Sequence, residues 1–183
     1  MTYARIAHHR AGLFAIGSLA LLLCVAPATA AQQATEPAAP PAATDPYVAA
    51  ARATGVPVAL LVAVAGAESG FHPLALNIKG REIYCHSKEE AERILATTDN
   101  VDIGLMQINW PFWGRRLGVT KSELLDPKVN LLYGARILER PLMRRGKFWR
   151  QVSDYHSGTP QARDRYNQRV YSVYLAYLRG QIR

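Results

Sequence analysis

Cysteine is nearly absent from this chain: two residues in 183, Cys24 and Cys85. Cys24 falls inside an N-terminal apolar run, so a chain that sheds the run keeps one thiol and closes no intramolecular disulfide. Stability must then come from a packed core, with Cys85 either a member of it or a thiol open to a partner chain. Metal-ligand spacing is also missing. Of five histidines, His8 and His9 sit before the apolar run, and His72, His86 and His156 pair with cysteine only as the neighbours Cys85-His86. No internal repeat is visible, and the run "AGLFAIGSLALLLCVA" is short for a membrane span. Acidic charge is scarce in the second half: residues 111–183 hold 15 basic and 5 acidic side chains, against 5 and 9 in residues 31–110. Such a surface suits anionic envelope polymers or lipid head groups. The dense part, Arg136, Arg140, Arg144, Arg145, Lys147 and Arg150, has no groove-reading or base-stacking motif around it, so nucleic acid is not expected as a partner; it reads as a polymer contact or as a solvated helix face.

The first thirty residues have the pattern of a signal peptide: Arg5 and Arg10, the apolar run, then the small-residue site Ala28-Thr29-Ala30. An uncleaved anchor is the alternative. Residues 31–44, "AQQATEPAAPPAAT", have almost no large apolar side chain and read as a flexible tether. The folded domain is expected over 45–183.

Within it the start and stop signals are mostly helical. Asp45-Pro46 opens a helix that Gly55 closes, and Pro57 starts "PVALLVAVAGAES", apolar almost all round and so a buried central helix. The chain then turns through Pro73, Asn77 and Gly80, and "REIYC" forms a short strand. Capping boxes at Ser87/Glu90 and Thr120/Glu123, and Asp126-Pro127, mark further helices, the last ended or kinked by Pro141. "FWRQVSDYHSG" is read as one helix stopped by Gly158. Pro160 opens the final one, with Tyr166, Val170, Val173, Tyr174 and Tyr177 on one face. The fold class is mainly α with one small β element.

Two stretches carry chemistry. Glu68 ends the greasiest helix, where a carboxylate is poorly hydrated and opposes the helix dipole; its pKa should rise until it can hold a proton near neutrality and act as a general acid, unless it merely caps the helix from the solvent side. "DIGLMQIN" reads as an extended segment with Gln107 and Asn109 on one face and Met106 and Ile108 on the other, a pattern suited to sugars and equally to an edge strand. Trp110 and Trp113 follow directly, placed to stack on a sugar ring or to pack in the core.

Glu68-Ser69, "GLMQIN", "LLDPKVNLLYGARIL", "YHSG" and "RDRYNQRVYSVY" stand in the order seen in the lysozyme-like domain of soluble lytic transglycosylases, and from about Val48 to Tyr177 the chain resembles that family. The insertion between the first two motifs resembles small members that accompany conjugation, secretion and pilus machines. The resemblance implies a lysozyme-like fold, a periplasmic location, peptidoglycan as substrate, no cofactor or metal, and components of such a machine as partners. It also implies Glu68 as the catalytic acid, Gln107 near the cut bond, Met106 lining the groove, and Tyr166 within hydrogen-bonding reach of Glu68. Ser69, Asn109 and Tyr155 join as substrate-side residues of the matching motifs. Where the family usually reads Ala-Tyr-Asn-Ala-Gly, this chain has Asp154-Tyr155-His156-Ser157-Gly158, which changes the sugar contacts of that turn.

Ordinary glycoside hydrolysis uses two carboxylates. A lytic transglycosylase uses one, which protonates the oxygen between N-acetylmuramic acid and N-acetylglucosamine and then deprotonates the muramoyl 6-hydroxyl, leaving a 1,6-anhydro end. Asp102, two residues before Gly104, is either a turn residue or a second carboxylate that would make the enzyme a hydrolytic muramidase. A non-catalytic peptidoglycan-binding scaffold is the remaining alternative.

Overall fold

The Asp45 carboxylate accepts the N–H groups of Tyr47 (2.8 Å) and Val48 (3.2 Å), and α1 (Pro46–Thr54) runs from there until Gly55, at φ 75°, turns the backbone left-handed. The computed structural model describes residues 45–144, 148–156 and 158–182; the expected leader and tether, Cys24, Arg145, Lys147 and Ser157 lie outside these. Helix α2 (Val58–Ser69) follows, and every residue from Leu60 to Ala65 is buried, as an all-round apolar helix requires. Among the described residues no single helix is long and apolar enough to cross a membrane.

After α2 the chain forms β1 (Ala75–Ile78) and β2 (Arg81–Tyr84), then α3 (Lys88–Leu95), β3 (Asp102–Ile103) and β4 (Ile108–Asn109). A π-helical turn, Trp110–Gly114, and the one-turn α4 (Arg115–Leu117) lead through a 3-10 turn at Glu123–Leu125 into α5 (Pro127–Leu142). The chain ends with α6 (Phe148–Val152), a 3-10 turn at Ser153–Tyr155 and α7 (Pro160–Leu178). α2 packs along α7 and against α1, which in turn packs along α5. Cys85, 1 % exposed, continues the hairpin beyond β2, donating its N–H to Leu74 O, and belongs to the core. Pro141 is the penultimate residue of α5, so the bond that its missing N–H would have made to Ile137 O is lost only in the last turn, just before the helix ends.

Three local expectations are corrected. The stretch from Gly70 to Gly80 is not all turn, because Ala75–Ile78 pairs with Arg81–Tyr84 across Lys79-Gly80, both at positive φ. "GLMQ" is not extended, because Gly104 at φ 79° and Gln107 at φ 43° fold residues 104–107 into a turn closed by Gln107 N–H donating to Gly104 O at 3.0 Å. "FWRQVSDYHSG" is not one helix: α6 gives way to the 3-10 turn at Ser153, and the backbone is already extended at His156.

The sheet has the order β2-β1-β3-β4, all antiparallel. Its register puts Ile83, Leu76, Ile103 and Ile108 in one row, the last three almost fully buried. The neighbouring row is Glu82, Asn77, Asp102 and Asn109. Since side chains alternate across a pleat, one row feeds the core and the other faces away from it.

Candidate active site

Glu68 lies in the last turn of α2, on the wall of a cavity of about 1230 Å³. Glu68 is half-buried, and the hydration that its charge loses by packing raises its pKa from an ordinary 4.5 to about 7. The Tyr166 hydroxyl and the Arg169 guanidinium pull it down by smaller amounts, and Asp102 pushes it up. At neutral pH the group is therefore divided between acid and carboxylate, which suits proton donation followed by proton removal.

Tyr166 on α7 is 0 % exposed, and its hydroxyl faces Glu68 closely enough for each to shift the other's titration. Among the described residues no atom stands at full hydrogen-bonding geometry to that buried hydroxyl, and the Glu68 carboxyl is the group it faces. A buried polar atom without a partner costs stability, and here it is aimed at the one carboxyl poised to change charge. The His156 ring stacks on Tyr166 at 4.8 Å and 9°, with Arg169 over the same ring at 5.9 Å. Burial lowers the His156 pKa, and Arg169 and Arg163 lower it further against an opposing pull from Asp102.

The turn at 104–107 is held from outside. The Ser69 hydroxyl donates to Leu105 O at 2.9 Å and to Ala65 O at 3.1 Å, tying the end of α2 to the turn. The Asn130 side chain, fully buried on α5, accepts Met106 N–H at 2.8 Å and donates to Ile103 O and Leu124 O at 2.8 Å each. The Tyr155 hydroxyl donates to Met106 O at 2.7 Å. Glycine is required twice: a Cβ at Gly104 would stand 2.3 Å from Asn130 Nδ2, and one at Gly134 would stand 2.5 Å from Met106 Cγ. The Gln107 amide nitrogen donates to Ala75 O (3.1 Å) and Gly104 O (2.9 Å), fixing the side chain at the cavity wall.

Of the residues singled out in the sequence, Glu68, Gln107, Asn109, Asp102, Tyr155 and Tyr166 all line this cavity. Asp102 sits on β3 in the outward row, not in a turn; its carboxylate accepts Asn109 Nδ2 at 2.7 Å, and burial raises its pKa. Two expectations are corrected. Met106 is 0 % exposed and packs on Gly134, because the turn points its side chain into the core. Ser69 is 2 % exposed with its hydroxyl committed to two carbonyls, so it pins the turn and does not line the cavity. Trp113 reaches the cavity, edge-on to Phe112 at 4.7 Å, whereas Trp110 packs over Gly114.

The sequence reading missed Arg169, Asn130 and the sheet residues Asn77 and Glu82. Arg169 stands one helical turn after Tyr166, a spacing that would have placed both on one face. The basic cluster also divides: Arg140 lies over the Trp113 ring at 5.4 Å, Arg136 over Tyr133 at 5.3 Å, and Arg144 approaches Asp154 at 3.8 Å. Among the described residues no three His, Cys, Asp or Glu side chains are grouped to hold a metal ion.

Residues 45–182 match the transglycosylase SLT domain. The chain is 30 % identical over 129 residues to protein IpgF of Shigella sonnei, covering 68 % of this chain and 73 % of that protein. It is 31 % identical over 123 residues to invasion protein IagB of Salmonella typhimurium strain SL1344, covering 63 % of this chain and 66 % of that one. No solved structure matches.

Proposed function

This chain belongs to the transglycosylase SLT domain family, and on that premise we propose that it is a peptidoglycan lytic transglycosylase working through Glu68 alone. The observation that carries the reading is a single carboxyl with a pKa near 7 on the wall of a cavity, facing Tyr166. As the acid, Glu68 gives its proton to the oxygen linking C1 of N-acetylmuramic acid to the next N-acetylglucosamine. The C1–O bond breaks, and positive charge develops at C1. The muramoyl 6-hydroxyl closes on C1 while the Glu68 carboxylate takes its proton, which restores the acid and leaves a 1,6-anhydro end. The sugar leaves with a free 4-hydroxyl, so atoms and protons balance with no water consumed. Gln107, Asn109 and Tyr155 line the same cavity, and to them we assign the sugar's hydroxyl and acetamido functions.

A peptidoglycan substrate calls for work outside the cytoplasm, in keeping with a signal peptide over residues 1–30, a tether over 31–44 and a catalytic domain beyond. The word invasion in the name of the Salmonella relative supports a role beside an envelope-spanning secretion, conjugation or pilus machine, for which the enzyme would open the wall locally.

A hydrolytic route has one observation in its favour: Asp102 shares the cavity with Glu68. Mass spectrometry of the fragments released from purified peptidoglycan separates the readings. Anhydro ends from the wild type and from Asp102→Asn, with none from Glu68→Gln, are expected. Reducing ends lost in Asp102→Asn would replace the mechanism with hydrolysis. No release from any form would leave a binding scaffold.

A further inference from the structure

The sheet and α7 line the cavity with side chains of different charge. The sheet wall presents the row Glu82, Asn77, Asp102 and Asn109, which is polar and holds two carboxylates. The helix wall, from α7, presents Arg163, Arg165 and Arg169. Arg163 is engaged by Asp154 at 2.8 Å. Among the described residues Arg165 and Arg169 form no ion pair; both are exposed at the cavity, two guanidinium groups four residues apart and so neighbours on one helix face. Like charges at that spacing disfavour the helix, which asks for an anion to lie against them.

A glycan backbone of N-acetyl sugars carries no charge that would need such a wall. The charge of peptidoglycan is in the peptide stems, whose free carboxylates hang from the lactyl group of each muramoyl unit. From this asymmetry we infer that the α7 arginines are a stem-recognition wall: the strand lies with its hydroxyl and acetamido edges on the sheet row, its stem carboxylates are drawn to Arg165 and Arg169, and Glu82 and Asp102 repel them from the opposite wall. Arginine suits this task because its planar fork meets a carboxylate with two parallel N–H groups. The enzyme then favours strands that still bear stems with free carboxylates over strands whose stems are amidated or removed. The inference rests on the proposed function and adds which peptidoglycan is cut and in what orientation.

The experiment is a competition between two preparations of one peptidoglycan, one with its stem carboxylates converted to amides by carbodiimide coupling with ammonia, the two distinguished by isotopic label. Wild-type protein should release anhydro fragments from the carboxylate form about three- to tenfold faster at low salt, the range of one or two partly exposed ion pairs. Arg165→Gln should lower the ratio, Arg165→Gln with Arg169→Gln should bring it near one, and Arg165→Lys, which keeps the charge and loses the fork, should fall between wild type and Arg165→Gln. Arg165 is exposed, and an unchanged melting temperature for Arg165→Gln would separate lost recognition from lost folding. Equal release from both forms by the wild type would overturn the inference and leave the proposed function standing. So would a preference that survives Arg165→Gln and Arg169→Gln together. No release from either form would overturn the proposed function and this inference with it.

Discussion

Glu68→Gln should make the fold more stable above neutral pH while leaving it nearly unchanged in acid. Between about pH 4.5, the ordinary value for a glutamate, and about 7, its value in the fold, native protein keeps a proton that the unfolded chain has released. Stability therefore falls as pH rises through that window, and above it the native state carries a poorly hydrated charge. At 1.36 kcal/mol per pH unit the full gap amounts to about 3 kcal/mol, an upper figure because the side chain opens on a cavity. Glutamine has the same shape and no charge, so the variant escapes this cost. Urea unfolding of wild type and variant at pH 4, 6 and 8.5 reads the difference, in which the titration of all other groups cancels to first order. The variant's advantage should grow from near zero to between one and three kcal/mol, roughly 3–10 °C in melting temperature for a domain of this size. An advantage independent of pH, or greatest in acid, would refute the desolvated carboxyl and with it the account of how Glu68 holds its proton.

The same carboxyl predicts a cleavage rate that declines as pH rises past about 7, as the acid form is lost; a rate flat to pH 9 would contradict it. Tyr166→Phe should slow turnover by about 10²-fold with little change in melting temperature in acid, where Glu68 is neutral, and a wild-type rate would reduce Tyr166 to packing. Asn130→Ala strands one N–H and two carbonyls in the core, and should cost about 3 kcal/mol of stability, measured by urea unfolding, together with most activity. Gly134→Ala drives a methyl group into Met106 and should cost about 1–3 kcal/mol by the same assay; a neutral result would mean that the turn is free to shift.

Helix starts were legible because their signals are local. Asp45-Pro46 and Asp126-Pro127 each bring cap and first-turn residue within a few positions, and each opens its helix as expected. Glu68 at the end of an apolar helix was legible for the same reason, since burial follows from the neighbours along α2. The backbone of "GLMQ" was not. Alternation assigns faces only in extended backbone; the expected partition stands, with Met106 and Ile108 inward and Gln107 and Asn109 at the cavity, but a turn with two left-handed residues in four produces it. Nor could Asp102 be assigned to the cavity, because its face depends on the register of β1 with β3 across a span of 25 residues that includes α3. What the motif could not disclose about Ser69 is that its hydroxyl is spent on two carbonyls, one of them 36 residues away.

The pins on the 104–107 turn come from α2, α5 and the segment after α6, separated from it in sequence by 36, 24 and 49 residues. Contacts of that range close late, after the entropy of bringing distant segments together has been met. A chain that has formed α2 already displays Glu68, but the wall opposite it waits for the last helix to dock, since α7 supplies Tyr166 and Arg169. Short of that point the carboxyl is hydrated and ordinary in its acidity, so on the proposed function competence to cut is a property of the finished fold.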